Sequence, residues 1–257
     1  MPNITVIICA HNSRETYLRR TLEGLQAQTL STQDWELVLV DNASSPPLSE
    51  RFSVDWHPQG WLVLEPEAGL TKARLRGIAE AKGELLIFVD DDNVLAEDYL
   101  ETAQRLMATH RWLGAIGGAL YPEYEVPPPE PFFNEQLLAI RRPKESRWSN
   151  VLSDWESQPW GAGLVIRKVV CEAYQETVGR DPRRHLFGRK GNSLSSAEDI
   201  DMVYHCHPLG MGFGVFTELS LTHLIPKERL EADYLNRLWR GVLISNWALA
   251  KLWNRPG

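Results

Sequence analysis

Short apolar runs that end in clusters of polar residues, with helical segments between them, constrain this chain more than any other feature. Residues 4–10, Ile-Thr-Val-Ile-Ile-Cys-Ala, are almost continuously apolar and lead into His11, Asn12 and Ser13. A run without alternation suits a strand buried on both faces, as in a parallel sheet. Trp35–Val40 is a second run, ending in Asp41 and Asn42, and Trp61–Leu64 is a third. Leu85–Val89 is a fourth and ends in Asp90, Asp91, Asp92 and Asn93. Between the runs, Leu18, Leu22 and Leu25 recur at helical spacing behind Ser13, a candidate N-cap. Thr71–Lys82 and 96–109 read as further helices, and 113–120 as another strand. This alternation predicts an α/β fold with a mostly parallel, doubly wound central sheet.

Beyond Leu120 the pattern loosens. Five prolines within 122–131 exclude a helix or a central strand there, because proline lacks the N–H donor and fixes φ. Gly163–Arg167 then reads as a strand, 168–177 as a helix, 197–207 as a short helix and 213–223 as a strand. A last helix is expected from about 229, as an extension (229–257) to one domain spanning 1–228. Residues 179–196, with four Arg, one Lys and three Gly, read as a mobile basic loop able to close over phosphates.

Composition narrows the partners. The chain of 257 residues is 43% hydrophobic and carries a net charge of −7, so it is a folding chain and nucleic acid is a poor partner for it. Cys9, Cys171 and Cys206 match neither a disulfide framework nor a zinc pattern, which points to a reducing compartment. No secretory signal or apolar run of about 20 residues is visible, so a cytoplasmic protein is expected, with contact to the inner face of a membrane left open.

In an open parallel sheet, ligands bind beyond the carboxyl ends of the strands. His11 and Asn12, Asp41 and Asn42, and Asp90 to Asn93 all collect there. Asp and Asn also cap helices, so Asp41 and Asn12 alone carry either reading. Three consecutive carboxylates repel one another unless a cation or donors relieve them, and a hard cation such as Mg²⁺ or Mn²⁺ does so. An apolar strand ending in Asp90-x-Asp92-x-Val94 fits two chemistries. One is the nucleophile motif of haloacid-dehalogenase-type phosphatases, with Asp90 as nucleophile. The other is the Asp-x-Asp signature of nucleotide-sugar transferases, which the position within the chain favours. A non-catalytic nucleotide-sugar-binding protein is a third reading.

Six segments in order resemble one family. They are the opening run through Asn12, Glu36-Leu-Val-Leu-Val-Asp-Asn-Ala-Ser44, Gly69-Leu-Thr-Lys-Ala-Arg-Leu-Arg-Gly-Ile78, Gly83-Glu-Leu-Leu-Ile-Phe-Val-Asp-Asp-Asp92, and Trp160-Gly-Ala-Gly163 followed by Glu198-Asp199. Together they resemble family 2 glycosyltransferases with the GT-A fold. The resemblance implies a nucleotide-sugar-binding half (1–120) and an acceptor half (121–228). It assigns Asp41 to the base, His11 (where the family has Tyr) to stacking on it, and Asn12 to the same site. Arg74 would reach the diphosphate with help from Lys72 or Arg76, whose helical spacing equally suits a solvated face. Asp92 would bind Mn²⁺ or Mg²⁺, with His223 as a further ligand and Asp90 or Asp91 holding the ribose or a metal-bound water. Asp199 would be the general base and Glu198 would orient the acceptor. Spacing alone reads Glu198-Asp199 as an acid-rich helix start. The reaction implied is metal-dependent, inverting transfer to an acceptor hydroxyl, in polysaccharide or glycan assembly. The donor is expected to carry UDP, with GDP and dTDP open, and the acceptor to be a glycan or a lipid-linked glycan. His205 and His207, at i,i+2, do not share a helix face and make no joint metal site.

Ten tryptophans stand out, and six fall in two groups. Trp148, Trp155 and Trp160 lie in the acceptor segment, where indoles stack on sugars or pack a core. Trp239, Trp247 and Trp253 lie in the last helix, where packing, a homodimer contact or a membrane interface are the readings.

Overall fold

β1 (Ile4–Ala10) has a parallel strand on either side, which is why its sequence is apolar without alternation. One neighbour is β2 (Trp35–Asn42), itself flanked by β3 (Gly60–Glu65), and the other is β4 (Leu85–Asp90). The computed structural model describes residues 3–128, 135–191 and 193–253. The end of the proline-rich stretch, at 129–134, lies outside them.

Helices cover both faces. Val6 and Ile8 of β1 pack with Leu18, Leu22 and Leu25 of α1 (Glu15–Gln26) and with Leu100, Ala103 and Leu106 of α3 (Tyr99–Thr109). Ile7 points to the other face, against Ala73 and Ile78 of α2 (Leu70–Glu80) and Val170 and Tyr174 of α4 (Lys168–Arg180). The period-two alternation of a strand thus feeds two separate apolar layers.

The second half adds antiparallel strands to this parallel core. β8 (Leu164–Arg167) runs antiparallel between β4 and β6 (Leu113–Tyr124). β9 (Gly212–Ile225) then runs parallel to β6 through its longest ladder. Two short strands had no sequence signal: β5 (Asn93–Leu95) and β7 (Arg147–Ser149), both antiparallel to β9. The sheet is mostly parallel, and the long ladders are the parallel ones.

Three expectations are corrected. Pro122 lies within β6, opposite His223, because β8 pairs with β6 only at Ala115 and Ile116. Beyond that point β6 is flanked by a strand on one side alone, where proline is tolerated. Ser13 does not cap α1: Arg14 occupies the N-cap, without a side-chain cap, and Ser13 donates to Asp91. The basic segment holds a 3₁₀ turn at Pro182–Phe187 instead of an open loop. A short helix α5 (Glu198–Tyr204) and a long C-terminal α6 (Ala232–Leu252) complete the chain.

Candidate active site

Strand register gathers the polar ends. Ala10 pairs with Asp41 and Cys9 with Asp90, so the segments after β1, β2 and β4 emerge side by side. β5 turns back from the Asp run and pairs Asn93 with His223, bringing that imidazole to Asp92 although 131 residues separate them in sequence. The resulting cleft of about 630 Å³ is lined by His11, Asn42, Arg74, Asp90 to Asp92, Glu198, Asp199 and His223 among others.

Arg74 is the hub on the α2 side. Its guanidinium is buried, sits 3.2 Å from Glu198 Oε1 and 3.6 Å from Asp90 Oδ1, and lies over the Phe88 ring. Burial opposes its charge, but Glu198, Asp90 and Asp199 outweigh that effect and raise its pKa. Next to it, Asp199 Oδ2 accepts from the Gly161 N–H at 2.7 Å, and Oδ1 accepts from Ile200 N–H. A Cβ on Gly161 would stand 2.6 Å from Arg74 Nη2 and 3.1 Å from Asp199 Oδ2, so a side chain there would displace the guanidinium from its place beside Asp199.

Burial pushes the Glu198 carboxyl up to about 7, against the pull of Arg74, and its Oε2 has no hydrogen-bond partner. With this raised pKa, the native protein holds a proton that the unfolded chain has released. Its contribution to stability is therefore full below about 4.5 and is lost as pH rises towards about 7, by up to roughly 3 kcal/mol. Resistance of the wild type to denaturation is expected to fall over that window relative to Glu198→Gln; parallel pH profiles for the two proteins would contradict it.

The carboxylates after β4 divide by environment. Asp91 accepts from Ser13, and burial together with Asp92 holds its pKa up. Asp92 is also buried, but Arg229 at 2.8 Å and His223 at 3.5 Å hold it well below the usual carboxylate range. Arg229 Nη1 lies 3.0 Å from His223 Nε2. His223 Nε2 thus faces both the Arg229 guanidinium and the Asp92 carboxylate, while Nδ1 is buried without a partner. Asp92 and His223 are side chains of the kind that ligate a hard divalent cation, which commonly keeps water and substrate phosphates in its other positions. Among the described residues no three His, Cys, Asp or Glu side chains form a ready-made metal cluster. Arg229 already neutralises this corner.

Other expected residues separate. Asp41 does not face the cleft: it is buried, and its oxygens accept from Ser44 N–H at 2.9 Å and Leu48 N–H at 2.8 Å. It organises the loop after β2, because a carboxylate there satisfies two N–H groups that have no strand partner. Asn12, at φ 50°, ties that loop to the end of β1 through Ser44 and Ser45. His11 stands exposed on the rim, its Nδ1 2.6 Å from the Asn42 carbonyl. Lys72 pairs with Glu67 and Arg76 with Glu80, away from the cleft, as a solvated face does. Of the five basic residues at 179–196, Arg180, Arg183 and Arg184 pair with Glu176, Asp181 and Asp201. Arg189 and Lys190 line the cleft. Trp155 and Trp160 line it too, whereas Trp148 stacks on Phe216 elsewhere. His205 is buried against Tyr174 and Trp253, apart from the exposed His207. Arg229 had escaped the sequence reading, since it carries no local motif, and Ser13 had been read only as a helix cap.

The profile of Glycosyl transferase family 2 matches residues 5–163, more than half of the chain. The chain belongs to that family. It is 22% identical over 246 residues to the glucosyl-dolichyl phosphate glucuronosyltransferase of Haloferax volcanii, covering 93% of this chain and 75% of that protein. It is 36% identical over 106 residues to polypeptide N-acetylgalactosaminyltransferase 5 of Caenorhabditis elegans, covering 39% of this chain and 17% of that one. The chain spans between 16% and 30% of the length of the first three curated relatives. Among solved structures, S. aureus TarS 1–349 superposes with a TM-score of 0.60 at 17% identity, covering 95% of this chain and 66% of that one. That likeness establishes the GT-A fold.

Proposed function

We propose that this protein transfers a sugar from a UDP-sugar to an acceptor hydroxyl, with inversion at the anomeric carbon and with Mn²⁺ or Mg²⁺ bound. The observation that carries the reading is the meeting of Arg74, Glu198, Asp199 and Gly161 opposite Asp90 to Asp92 in one cleft. Asp199 takes the proton from the acceptor hydroxyl. The acceptor oxygen attacks the anomeric carbon, and the bond to the diphosphate breaks with its electron pair leaving on the nucleotide. Arg74, Arg189 and Lys190 receive that negative charge, since guanidinium and ammonium groups in a partly dry cleft stabilise phosphate oxygens well. Asp92 and His223 would hold the cation, which supplies further charge neutralisation to the leaving group. Glu198 holds Arg74 and orients the acceptor, while His11 supports the base at the rim.

TarS 1–349 has been solved with UDP and with UDP-GlcNAc, which supports UDP as the nucleotide. The H. volcanii relative is named for a glucosyl-dolichyl phosphate acceptor, which supports a lipid-linked glycan here. Free Cys9, Cys171 and Cys206 agree with a cytoplasmic setting. Asp90 pairs with Arg74 and follows three earlier strands, which leaves the phosphatase alternative without support.

UDP-GlcNAc with Mn²⁺ is expected to raise the thermal midpoint by binding the native state. Asp92→Ala should abolish the Mn²⁺-dependent part of that rise. No shift with any nucleotide sugar, or a Mn²⁺-dependent shift preserved in the variant, sinks the assignment.

A further inference from the structure

α6 buries Leu238, Ser245 and Leu249 on one side and leaves a large apolar surface on the other. Trp239 is 45% exposed, Leu243 49%, Ile244 66% and Trp247 66%. At about 100° per residue these four, with Arg240 and Lys251, fall on one outward arc of the helix. The charge of that arc runs against the chain as a whole. α6 holds three basic residues, Arg237, Arg240 and Lys251, all exposed, and one acid, Asp233, while the protein carries −7. Lys251 lies over the Trp247 ring at 5.8 Å, so basic tips and indoles share the surface.

The arc also meets the cleft. Trp239 and Asn246 line the cavity and stand exposed at the edge of the outward face, next to Leu238 and Val242, which line it from within. No helix among the described residues is long and apolar enough to cross a membrane.

We propose that the outward face of α6 docks on the surface of an anionic lipid bilayer, so that the cleft opens where a lipid-linked acceptor presents its sugar. Indoles and branched aliphatics suit the boundary between headgroups and acyl chains, and flanking Arg and Lys meet anionic headgroups. A second copy of the chain would cover the apolar residues but would set Arg237, Arg240 and Lys251 against their own kind. Only the acceptor part of the proposal rests on the glycosyl-transfer reading; the docking does not.

Sedimentation with phosphatidylcholine vesicles, with and without phosphatidylglycerol, tests it. The full chain is expected to bind the anionic vesicles and to release as salt is raised. Ile244→Ser with Trp247→Ser should weaken that binding about tenfold or more, and Arg240→Glu with Lys251→Glu should weaken it on anionic vesicles alone. None of these four residues lines the cleft, so the thermal shift with UDP-GlcNAc should persist in both variants. Loss of the shift in the wild type would reject the donor site and leave the docking result standing. Absence of vesicle binding, equal binding by the Ile244→Ser/Trp247→Ser variant, or a dimer that this variant dissociates would overturn the docking.

Discussion

Asp199→Asn is expected to lower the rate of transfer by about two to four orders of magnitude while leaving the apparent affinity for the nucleotide sugar nearly unchanged. Asparagine keeps an oxygen to accept from the Gly161 N–H, so the first turn of α5 and its contact with the Trp160-Gly-Ala-Gly segment should survive. What it loses is the capacity to take a proton from the acceptor. The competing base is Glu198, with its pKa raised to about 7 and its Oε2 free of hydrogen-bond partners. Measuring kcat and KM for Asp199→Asn and Glu198→Gln side by side separates them. If Asp199→Asn retains its kcat and Glu198→Gln does not, the base has been assigned to the wrong carboxylate.

Arg74→Ala should be costly twice, in stability and in donor binding. Removing one partner from a buried ion pair leaves the other charge uncompensated, a loss of about 3–5 kcal/mol. Here Glu198 stays buried and Asp90 also loses its nearby cation. Arg74→Met combined with Glu198→Gln should recover part of that loss, because the stranded carboxylate is gone; coupling within a contacting pair is commonly about 0.5–3 kcal/mol. Arg74→Lys should fold yet bind UDP-GlcNAc more weakly, since an ammonium cannot span Asp90, Glu198 and a phosphate with one planar fork. Chemical denaturation of the three variants measures the first effect and calorimetric titration with UDP-GlcNAc the second. Additive losses in the double variant would show that the pair carries no mutual dependence.

The candidate site was legible where residue type and strand end coincide. Asp90, Asp91 and Asp92 had to be placed at the mouth of the sheet, because an apolar strand cannot hold three carboxylates inside it. Arg74 was found through its motif, although α2 spacing equally offers Lys72 and Arg76; burial against Phe88 and Glu198 selects it. Asp41 shows the opposite case. Its position at the end of β2 resembles a ligand site, yet two backbone N–H groups, three and seven residues further on, take both oxygens. Nothing local distinguishes a carboxylate that meets a ligand from one that organises a loop.

The same holds for pairings made at long range. Ser13 looks like a helix cap and instead donates to Asp91, 78 residues away. Arg229 sits in an unremarkable 3₁₀ turn and becomes the counter-ion of Asp92 only because β9 returns His223 beside β5. Of the ten tryptophans, Trp253, just past the end of α6, turns inward to donate to Asp201 at 2.8 Å, while Trp247 six positions earlier faces out.

By itself the sequence determined the parallel core, the ends at which its polar residues collect, and the family. Those follow from periodicity and from the cost of burying unpaired polar groups, both of which act along the local chain. Tertiary structure alone decided which acids face the cleft, which cation sits on Asp92 and which side of α6 remains apolar and open. Those choices depend on contacts between residues far apart in sequence, and the register of β5 and β9 and the packing of α6 bring them together.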